Sequence, residues 1–407
     1  MTDTATAGRL AALTAAALAT YRAHDLPVRP GFYRKGPRAR RWTRIEDDLD
    51  TEARWTLIRS HPAGSGWRYR DRDRLGDGHA SVEVQEAARI LQACARLEAA
   101  LEAVRAAAPD LIVTLGGGTP IDTGKILQIV LAHEVRAIEE MDALHLRVKP
   151  DGSRHLPAIK PSPLRQIVVP TTLSGAEFSS LGAATDPRSG AKQAYVGPDV
   201  CAAAVILDPA ATLHTPEWLW LSTGIRALDH AVETLCAIDP TPFTDALSRQ
   251  ALEMLAAALP ACKARPEDPE PRLLCQQAVW LAASSINRVN YGASHGLGHV
   301  LGALAGVPHG HTSCVLLPSV LAWNEAKTAE RQRVVARCLG RPQASAAEAV
   351  RNLIAALGLP MRIRDLGVAK ELLPQVAERA MANLWVRTNP RPIRGPDDAL
   401  AILETAW

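Results

Sequence analysis

The sequence predicts an α/β domain with a parallel sheet over residues 1–210, followed by an all-helical domain over residues 211–407. In the first part, short apolar runs alternate with helical patterns, as in a parallel sheet whose strands are joined by helices. Beyond Pro216, long segments place apolar residues three and four positions apart, which is the spacing of amphipathic helices. Pro209 and Pro216 interrupt the chain between the two patterns.

Three apolar runs are predicted to be buried strands of the sheet: residues 110–115, 166–169 and 204–207. The first run leads directly into three glycines, and the second is closed by Pro170. A helical pattern from Ile121 to about residue 133 lies between the first two runs. This strand–helix–strand order is typical of a parallel unit.

The second part of the chain predicts helices almost throughout, since strand-like runs are nearly absent. The helical patterns cover residues 216–237, 243–262, 270–286, 293–304, 311–326, 345–357 and 370–384.

The composition is typical of a soluble globular protein. The chain has 407 residues, is 47% hydrophobic and 22% charged, and carries a formal net charge of only +3. This net charge is too small to produce the strong electrostatic field that would indicate binding to nucleic acid or to a membrane. Six basic residues between Arg34 and Arg44 are a local exception, which we interpret as a solvated surface segment rather than an anion-binding patch. Seven cysteines without a CxxC pair favour a reducing, cytoplasmic location.

A glycine-rich loop between the first strand and its helix predicts a phosphate-binding site. Gly116, Gly117 and Gly118 would let backbone N–H groups approach a pyrophosphate closely, at the positive end of the following helix. Thr119 can cap that helix and donate to a phosphate oxygen. A tight turn without a ligand is the alternative. The motif differs from the GxGxxG fingerprint, so an ordinary Rossmann domain is not indicated.

A second loop, Pro170-Thr171-Thr172, follows the next strand. Hydroxyl groups at the carboxyl end of a strand lie where an open α/β sheet meets its ligand. A hydrogen-bonded turn would explain these residues equally well.

Five of the twelve histidines lie in two short stretches of the second part, namely His230 in the first and His295, His299, His309 and His311 in the second. His295 and His299 are four residues apart and share a helix face, and Pro308 would start a new helix at His309. Imidazoles that converge from several helices can hold a divalent metal or relay protons. For any one of them, a buried structural role is the alternative.

In chain order, the motifs GGGxxxDxxK, PTT, ALxHAxE and HxxxHxxGxxxxxPHG resemble the iron-containing alcohol dehydrogenases, which share the dehydroquinate synthase-like fold. Residues 222–233 are similar to the maleylacetate reductase branch, and the resemblance is close over about residues 105–330. It implies a homodimeric, NADH- or NADPH-dependent oxidoreductase. Such an enzyme transfers hydride to or from a carbonyl, an alcohol or an activated double bond.

The resemblance also implies site residues. The cofactor would contact the glycine loop with its pyrophosphate and the second loop with its adenosine side, through Gly116, Gly117, Gly118, Thr119, Asp122, Thr171 and Thr172. Lys192 matches a lysine close to the reacting centre. The family's metal is held by one aspartate and three histidines, and the histidines correspond to His230, His295 and His309. His299 matches a further active-site histidine suited to proton relay.

This sequence departs from the family at the aspartate, whose position is Arg226. A guanidinium offers only donors and a fixed positive charge, so it cannot ligate Fe²⁺ or Zn²⁺. Asp229 should point about 100° away from His230 and is not expected to replace the ligand. We therefore expect a metal-free site in which Arg226 polarises a substrate carbonyl or clamps a carboxylate, as the similarity to maleylacetate reductases implies. An outward-facing ion pair with Glu233 or a neighbouring residue is the alternative.

The first 80 residues also diverge from the family. The only candidate first strand is residues 55–58, and a predicted helix over 81–107 leaves little room for the usual helix and second strand. The choice between NAD and NADP stays open. A non-redox lyase or isomerase with a degenerate dinucleotide site is the alternative function.

Overall fold

The computed structural model describes residues 31–35, 42–44, 109, 111–148, 154–162, 164–186, 188, 192–197, 199–286 and 288–407. The predicted strand at 55–58 and the predicted helix at 81–107 lie outside the described residues.

Strands occupy the first part of the described chain. They are β1 (Gly31–Lys35), β2 (Trp42–Arg44), β3 (Leu111–Gly116), β4 (Arg147–Val148), β5 (Arg154–His155), β6 (Arg165–Pro170), β7 (Leu181–Thr185), β8 (Lys192–Val196) and β9 (Ala204–Leu207). One helix, α1 (Gly118–Ala132), lies among them.

The central sheet has the strand order β2-β1-β9-β6-β3 within the described residues. The three strands predicted from the sequence, β3, β6 and β9, pair in parallel, with Val113 opposite Ile167 and Val168 opposite Val205. The sheet also has an antiparallel edge that the sequence analysis did not include, because β1 pairs antiparallel with both β9 and β2. These two strands coincide with the basic segment at residues 34–44, whose charges concealed the strand pattern.

The helix α1 begins one residue before Thr119, and Gly117 occupies its cap position without a side-chain hydrogen bond. The prediction that Thr119 caps the helix is therefore wrong. Thr119 lies in the first turn instead, where its carbonyl accepts a hydrogen bond from Thr123 Oγ1 at 3.0 Å.

A buried polar cluster fixes α1 against the antiparallel hairpin β7–β8. The Nζ atom of Lys125 donates to the carbonyls of Ala176 at 2.6 Å and Leu181 at 2.7 Å, and lies 3.4 Å from Asp122. Glu177 is fully buried in the short 3-10 helix beside this lysine. Burial raises the pKa of Glu177 to about 7, although its hydrogen bonds and Lys125 oppose the shift.

Helices form the rest of the chain. They are α2 (Glu217–Leu235), α3 (Pro242–Ala264), α4 (Pro269–Ala283), α5 (Ala293–Ala305), α6 (His309–Cys338), α7 (Ala346–Ala356), α8 (Leu373–Ala380), α9 (Leu384–Arg387) and α10 (Pro396–Ala406). The predicted helix at 311–326 is too short, because α6 continues past a non-helical residue, Thr328, where polar residues interrupt the apolar spacing. The helix α10 was not predicted.

The helix α2 lies at the centre of the largest hydrophobic core. It packs against α3, α4 and α6, and its apolar residues Ile225, Leu228 and Val232 are fully buried. Because α2 has neighbours on most sides, its polar residues are buried as well. None of the described helices has both the length and the apolar character needed to cross a bilayer. The six cysteines that the structure describes are free thiols.

We predict that Glu177→Gln stabilises the protein more at pH 8 than at pH 5. The folded-state pKa of about 7 lies above the ordinary value of 4.5, so ionisation of Glu177 destabilises the fold as pH rises between these values. The free energy of unfolding of the variant, relative to wild type, should rise by about 3 kcal/mol across this interval. Urea denaturation at both pH values measures this change, with the exposed Glu371→Gln as the control. An equal effect at both pH values would contradict the prediction.

Candidate functional site

Four charged or titratable residues lie on adjoining positions of α2: Arg226, Asp229, His230 and Glu233. Their three- and four-residue spacing brings them to neighbouring parts of the helix surface. The amino ends of α5 and α6 meet this surface, so that His295, His299 and His309 approach it. As predicted, α6 begins at His309 directly after Pro308.

A cleft of about 2880 Å³ contains both groups of predicted site residues. Its lining includes the glycine loop, the second loop and the residues of the helical part, namely Gly116, Gly117, Gly118, Thr119, Asp122, Thr171, Thr172, Arg226, His230, His295, His299 and His309. Lys192 begins β8, and its neighbours Gln193 and Ala194 line the cleft. The side chain of Lys192 lies outside the described part of the chain.

The Glu233 carboxylate joins α2 to the start of α5. It accepts hydrogen bonds from the backbone N–H groups of Gly292 at 3.1 Å, Ser294 at 2.9 Å and His295 at 3.3 Å. The His295 Nδ1 atom lies 2.7 Å from the same carboxylate. A carboxylate at this position satisfies free helical N–H groups and interacts favourably with the positive end of the helix. The sequence analysis treated Glu233 only as a salt-bridge partner, although its spacing from His230 could have indicated this role.

The two histidines nearest this carboxylate form a chain with it. His295 Nε2 lies 2.9 Å from His230 Nδ1. Burial raises the pKa of Glu233 to about 7. When Glu233 is ionised it can only accept, so His295 then donates to it through Nδ1 and accepts from His230 through Nε2. Burial lowers the pKa of both imidazoles well below its ordinary value, and the nearby Arg226 charge lowers it further. Both rings are therefore neutral near pH 7.

The Arg226 guanidinium faces the interior of the protein. It is 7% exposed, donates from Nη1 to Ser313 Oγ at 3.1 Å, and contacts His299 Nε2 from Nη2 at 3.3 Å. The alternative of an outward-facing ion pair is therefore wrong. An arginine can only donate, so His299 Nε2 is the acceptor and the ring proton of neutral His299 lies on Nδ1.

Asp229 lies beside Arg226, contrary to the expectation that it points away from the site. Its Oδ2 atom is 3.8 Å from Arg226 Nη1 and accepts hydrogen bonds from Ser294 Oγ and Ser313 Oγ, both at 2.7 Å. The helix-face argument failed because α5 and α6 contact adjoining sides of α2. Burial raises the pKa of Asp229, and the neighbouring Glu233 carboxylate raises it further.

Three of these residues could also hold a cation, since Asp229, Glu233 and His295 offer ligand atoms within 4.8 Å of one another. A metal bound there would compete with existing hydrogen bonds, because the Glu233 oxygens and Asp229 Oδ2 already accept donors. The three histidines that correspond to the family's metal ligands, His230, His295 and His309, fit a dication even less well than this group does. Their arrangement has a guanidinium at its fourth position, which adds positive charge and supplies no lone pair.

An aromatic wall completes this end of the cleft. The Trp385 ring lies 4.7 Å from His299 and 5.7 Å, edge-on, from His295. Tyr291 stacks 4.4 Å from His295. The sequence analysis missed both aromatic residues, because no local motif marks them and only tertiary packing brings them to the histidines.

Sequence comparisons match nearly the whole chain beyond its first 60 residues to one family. Residues 61–209 match "Iron-containing alcohol dehydrogenase", and residues 220–407 match "Fe-containing alcohol dehydrogenase family, C-terminal". The chain is 35% identical to "Dehydrogenase ALT3" of Alternaria alternata over 74% of this chain and 85% of that protein. It is 30% identical to "Maleylacetate reductase" of Rhizobium sp. (strain MTP-10005) over 72% of this chain and 73% of that protein.

Solved structures agree with this assignment. A maleylacetate reductase from the same Rhizobium strain superposes with a TM-score of 0.62 at 29% identity, covering 76% of this chain and 78% of that chain. A 1,3-propanediol oxidoreductase gives a TM-score of 0.69 at 29% identity, covering 76% and 80%. The fold prediction is thereby confirmed. The chain belongs to the iron-containing alcohol dehydrogenase family, in its maleylacetate reductase-like branch, and is an NAD(P)-dependent oxidoreductase.

Proposed function

We propose that this protein transfers hydride between NADH or NADPH and the carbonyl of a small carboxylated substrate, without a metal ion. The observation that carries the proposal is the hydrogen bond from Arg226 to His299, which puts a fixed positive charge at the position of the family's metal-binding aspartate. A homodimer located in the cytoplasm stays a prediction from the family resemblance.

The glycine loop fits the pyrophosphate of a dinucleotide. A Cβ at Gly117 would lie 2.8 Å from the Thr172 side chain, so only glycine leaves the cradle open. The hydroxyls of Thr172 and Ser174 are buried and have no hydrogen-bond partner among the described residues. Such hydroxyls, together with the free N–H groups at the start of α1, are suited to donate to phosphate oxygens. When bound, the cofactor supplies the hydride.

The histidines and Arg226 would stabilise the charge that develops during the reaction. His299 carries its only ring proton on Nδ1, so it would donate a hydrogen bond from this N–H to a carbonyl oxygen as negative charge develops there, and the proton that completes the alcohol would come from solvent. The Arg226 charge would stabilise that negative charge from behind His299. Neutral His230 and His295, which Glu233 holds in place, would form a second polar contact with the substrate. His309 and Lys192 would orient the substrate or the cofactor.

We expect reduction of carbonyl compounds by NADH or NADPH to persist after exhaustive dialysis against a chelator. The absorbance of the reduced nicotinamide, followed with a panel of oxo acids and aldehydes, measures the rate. Loss of activity on chelation, restored by iron or zinc, would contradict the metal-free mechanism. Turnover that persists after removal of all nucleotide would favour a lyase or an isomerase instead.

The variant Arg226→Asp should bind about one equivalent of iron or zinc, which wild type should not. The substitution removes the repelling guanidinium and restores a carboxylate four residues before His230. Elemental analysis after dialysis measures the metal content, and Arg265→Asp, at an exposed position outside the cleft, is the control. A full equivalent of metal in wild type would overturn the proposed role of Arg226.

Gly117→Ala should weaken binding of the reduced cofactor by about tenfold or more, because the new methyl group meets Thr172 at 2.8 Å. Calorimetric titration with NADH and NADPH measures the affinity. Gly395→Ala, where a Cβ meets open space, is the matched control. Unchanged affinity in Gly117→Ala would show that the pyrophosphate lies elsewhere.

A further inference from the structure

We propose that Arg379 binds the carboxylate of the substrate and thereby determines which carbonyl compounds the enzyme accepts. This inference rests on the proposed function. It assigns binding of the substrate carboxylate to Arg379, whereas the sequence alone suggested Arg226.

The charged residues in the described lining of the cleft are mostly cations. They are Asp122, Arg136, Arg147, Arg226 and Arg379. The single carboxylate, Asp122, lies 3.4 Å from the Lys125 ammonium and accepts a hydrogen bond from the Ala183 N–H group. Because the Asp122 charge is compensated in this way, the positive charges dominate and the lining attracts anions along its length.

Arg226 is poorly placed to hold a substrate carboxylate. Both of its terminal nitrogens already donate, to Ser313 and to His299. Its charge is opposed by Asp229 at 3.8 Å and by the nearby Glu233, both of which are buried behind it. Two of the five N–H groups of Arg226 are already in use and its charge is partly offset, so it suits a carboxylate clamp less well than an arginine whose five N–H groups are all available.

Arg136 and Arg147 belong to the other part of the cleft. Arg136 follows the carboxyl end of α1, which extends about 22 Å from the glycine loop. Arg147 donates to His145 at 3.3 Å beside the β7–β8 hairpin. Both therefore belong to the side of the cleft that the α/β part of the chain forms.

Arg379 is the remaining cationic residue of the described cleft lining, and it belongs to the helical part of the chain. It lies in the last turn of α8, is exposed, and makes no ion pair or side-chain hydrogen bond with any described residue. The α8 positions three and four residues before Arg379 hold Val376 and Gln375, and the acidic neighbour Glu378 lies one residue away, where helical side chains do not face each other.

The chain connects Arg379 directly to the wall of the reacting centre. The N–H groups of Ala382 and Asn383 bond back to the carbonyls of Arg379 and Ala380, which fixes the turn that leads into Trp385. The Trp385 ring in turn contacts His299 at 4.7 Å. The cleft lining after this turn, Leu384 and Trp385, is apolar. The arrangement suits an oxo acid whose carboxylate and carbonyl are separated by a short apolar or conjugated chain.

Paired substrates of equal length test this inference. With succinic semialdehyde, Arg379→Gln should lower kcat/KM about tenfold or more, mainly through KM, because a charged hydrogen bond is lost. With butanal, which lacks the carboxylate, kcat/KM should change by less than about twofold. Arg379→Lys should retain part of the preference for the acid. Arg394→Gln, at an exposed position outside the cleft, should leave both rates unchanged.

Glutarate binding to the enzyme, measured by calorimetry against its diamide, supplies a readout that does not need hydride transfer. The inference is supported if Arg379→Gln and Arg379→Met both bind glutarate more weakly than wild type does and bind the diamide with unchanged affinity. Equal losses for acid and neutral compounds, or no loss for either, overturn it. Hydride transfer to both aldehydes with no effect of Arg379 would reject the inference and leave the proposed function intact. Absence of hydride transfer to any carbonyl would instead reject the proposed function.

Discussion

The cost of burying three ionisable side chains on one helix governs the architecture of the site. Arg226, Asp229 and Glu233 are almost completely removed from solvent on α2. A buried charge is tolerated only when opposite charge and hydrogen bonds replace its lost hydration. The surrounding helices supply these contacts through two serine hydroxyls and three backbone N–H groups. The relative positions of α2, α5 and α6 are therefore restrained by electrostatics as well as by apolar packing.

This restraint also explains how the catalytic side chains are held. Glu233 binds the backbone at the start of α5 and the imidazole of His295 with the same carboxylate. The orientation of the ring is thus coupled to the position of the helix that carries it. On the other side, Ser313 of α6 bridges Arg226 and Asp229. A displacement of either helix would leave a buried charge uncompensated, so the imidazoles keep a defined geometry before any ligand binds.

The sequence allowed good prediction where a local pattern determines the structure. The parallel strands, the helix start at His309 and the chain positions of the four histidines all follow from apolar spacing and short motifs. Prediction failed where neighbours decide the outcome. Asp229 was expected to point about 100° away from His230, whereas α2 is enclosed on several sides and Asp229 lies beside Arg226. The strands β1 and β2 carry too many charges to show a strand pattern, and Trp385 reaches His299 only through tertiary packing.

Arg226 is a covalent part of the polypeptide, and its charge is present at the back of the cleft as soon as the helices assemble. A dissociable ion has to be acquired from a cellular pool and kept in the correct oxidation state, whereas a guanidinium is neither lost by dilution nor oxidised by dioxygen. Under the metal-free mechanism that we propose, the site would need no metal ion once the chain has folded. Its performance would be independent of iron starvation and of exposure to air.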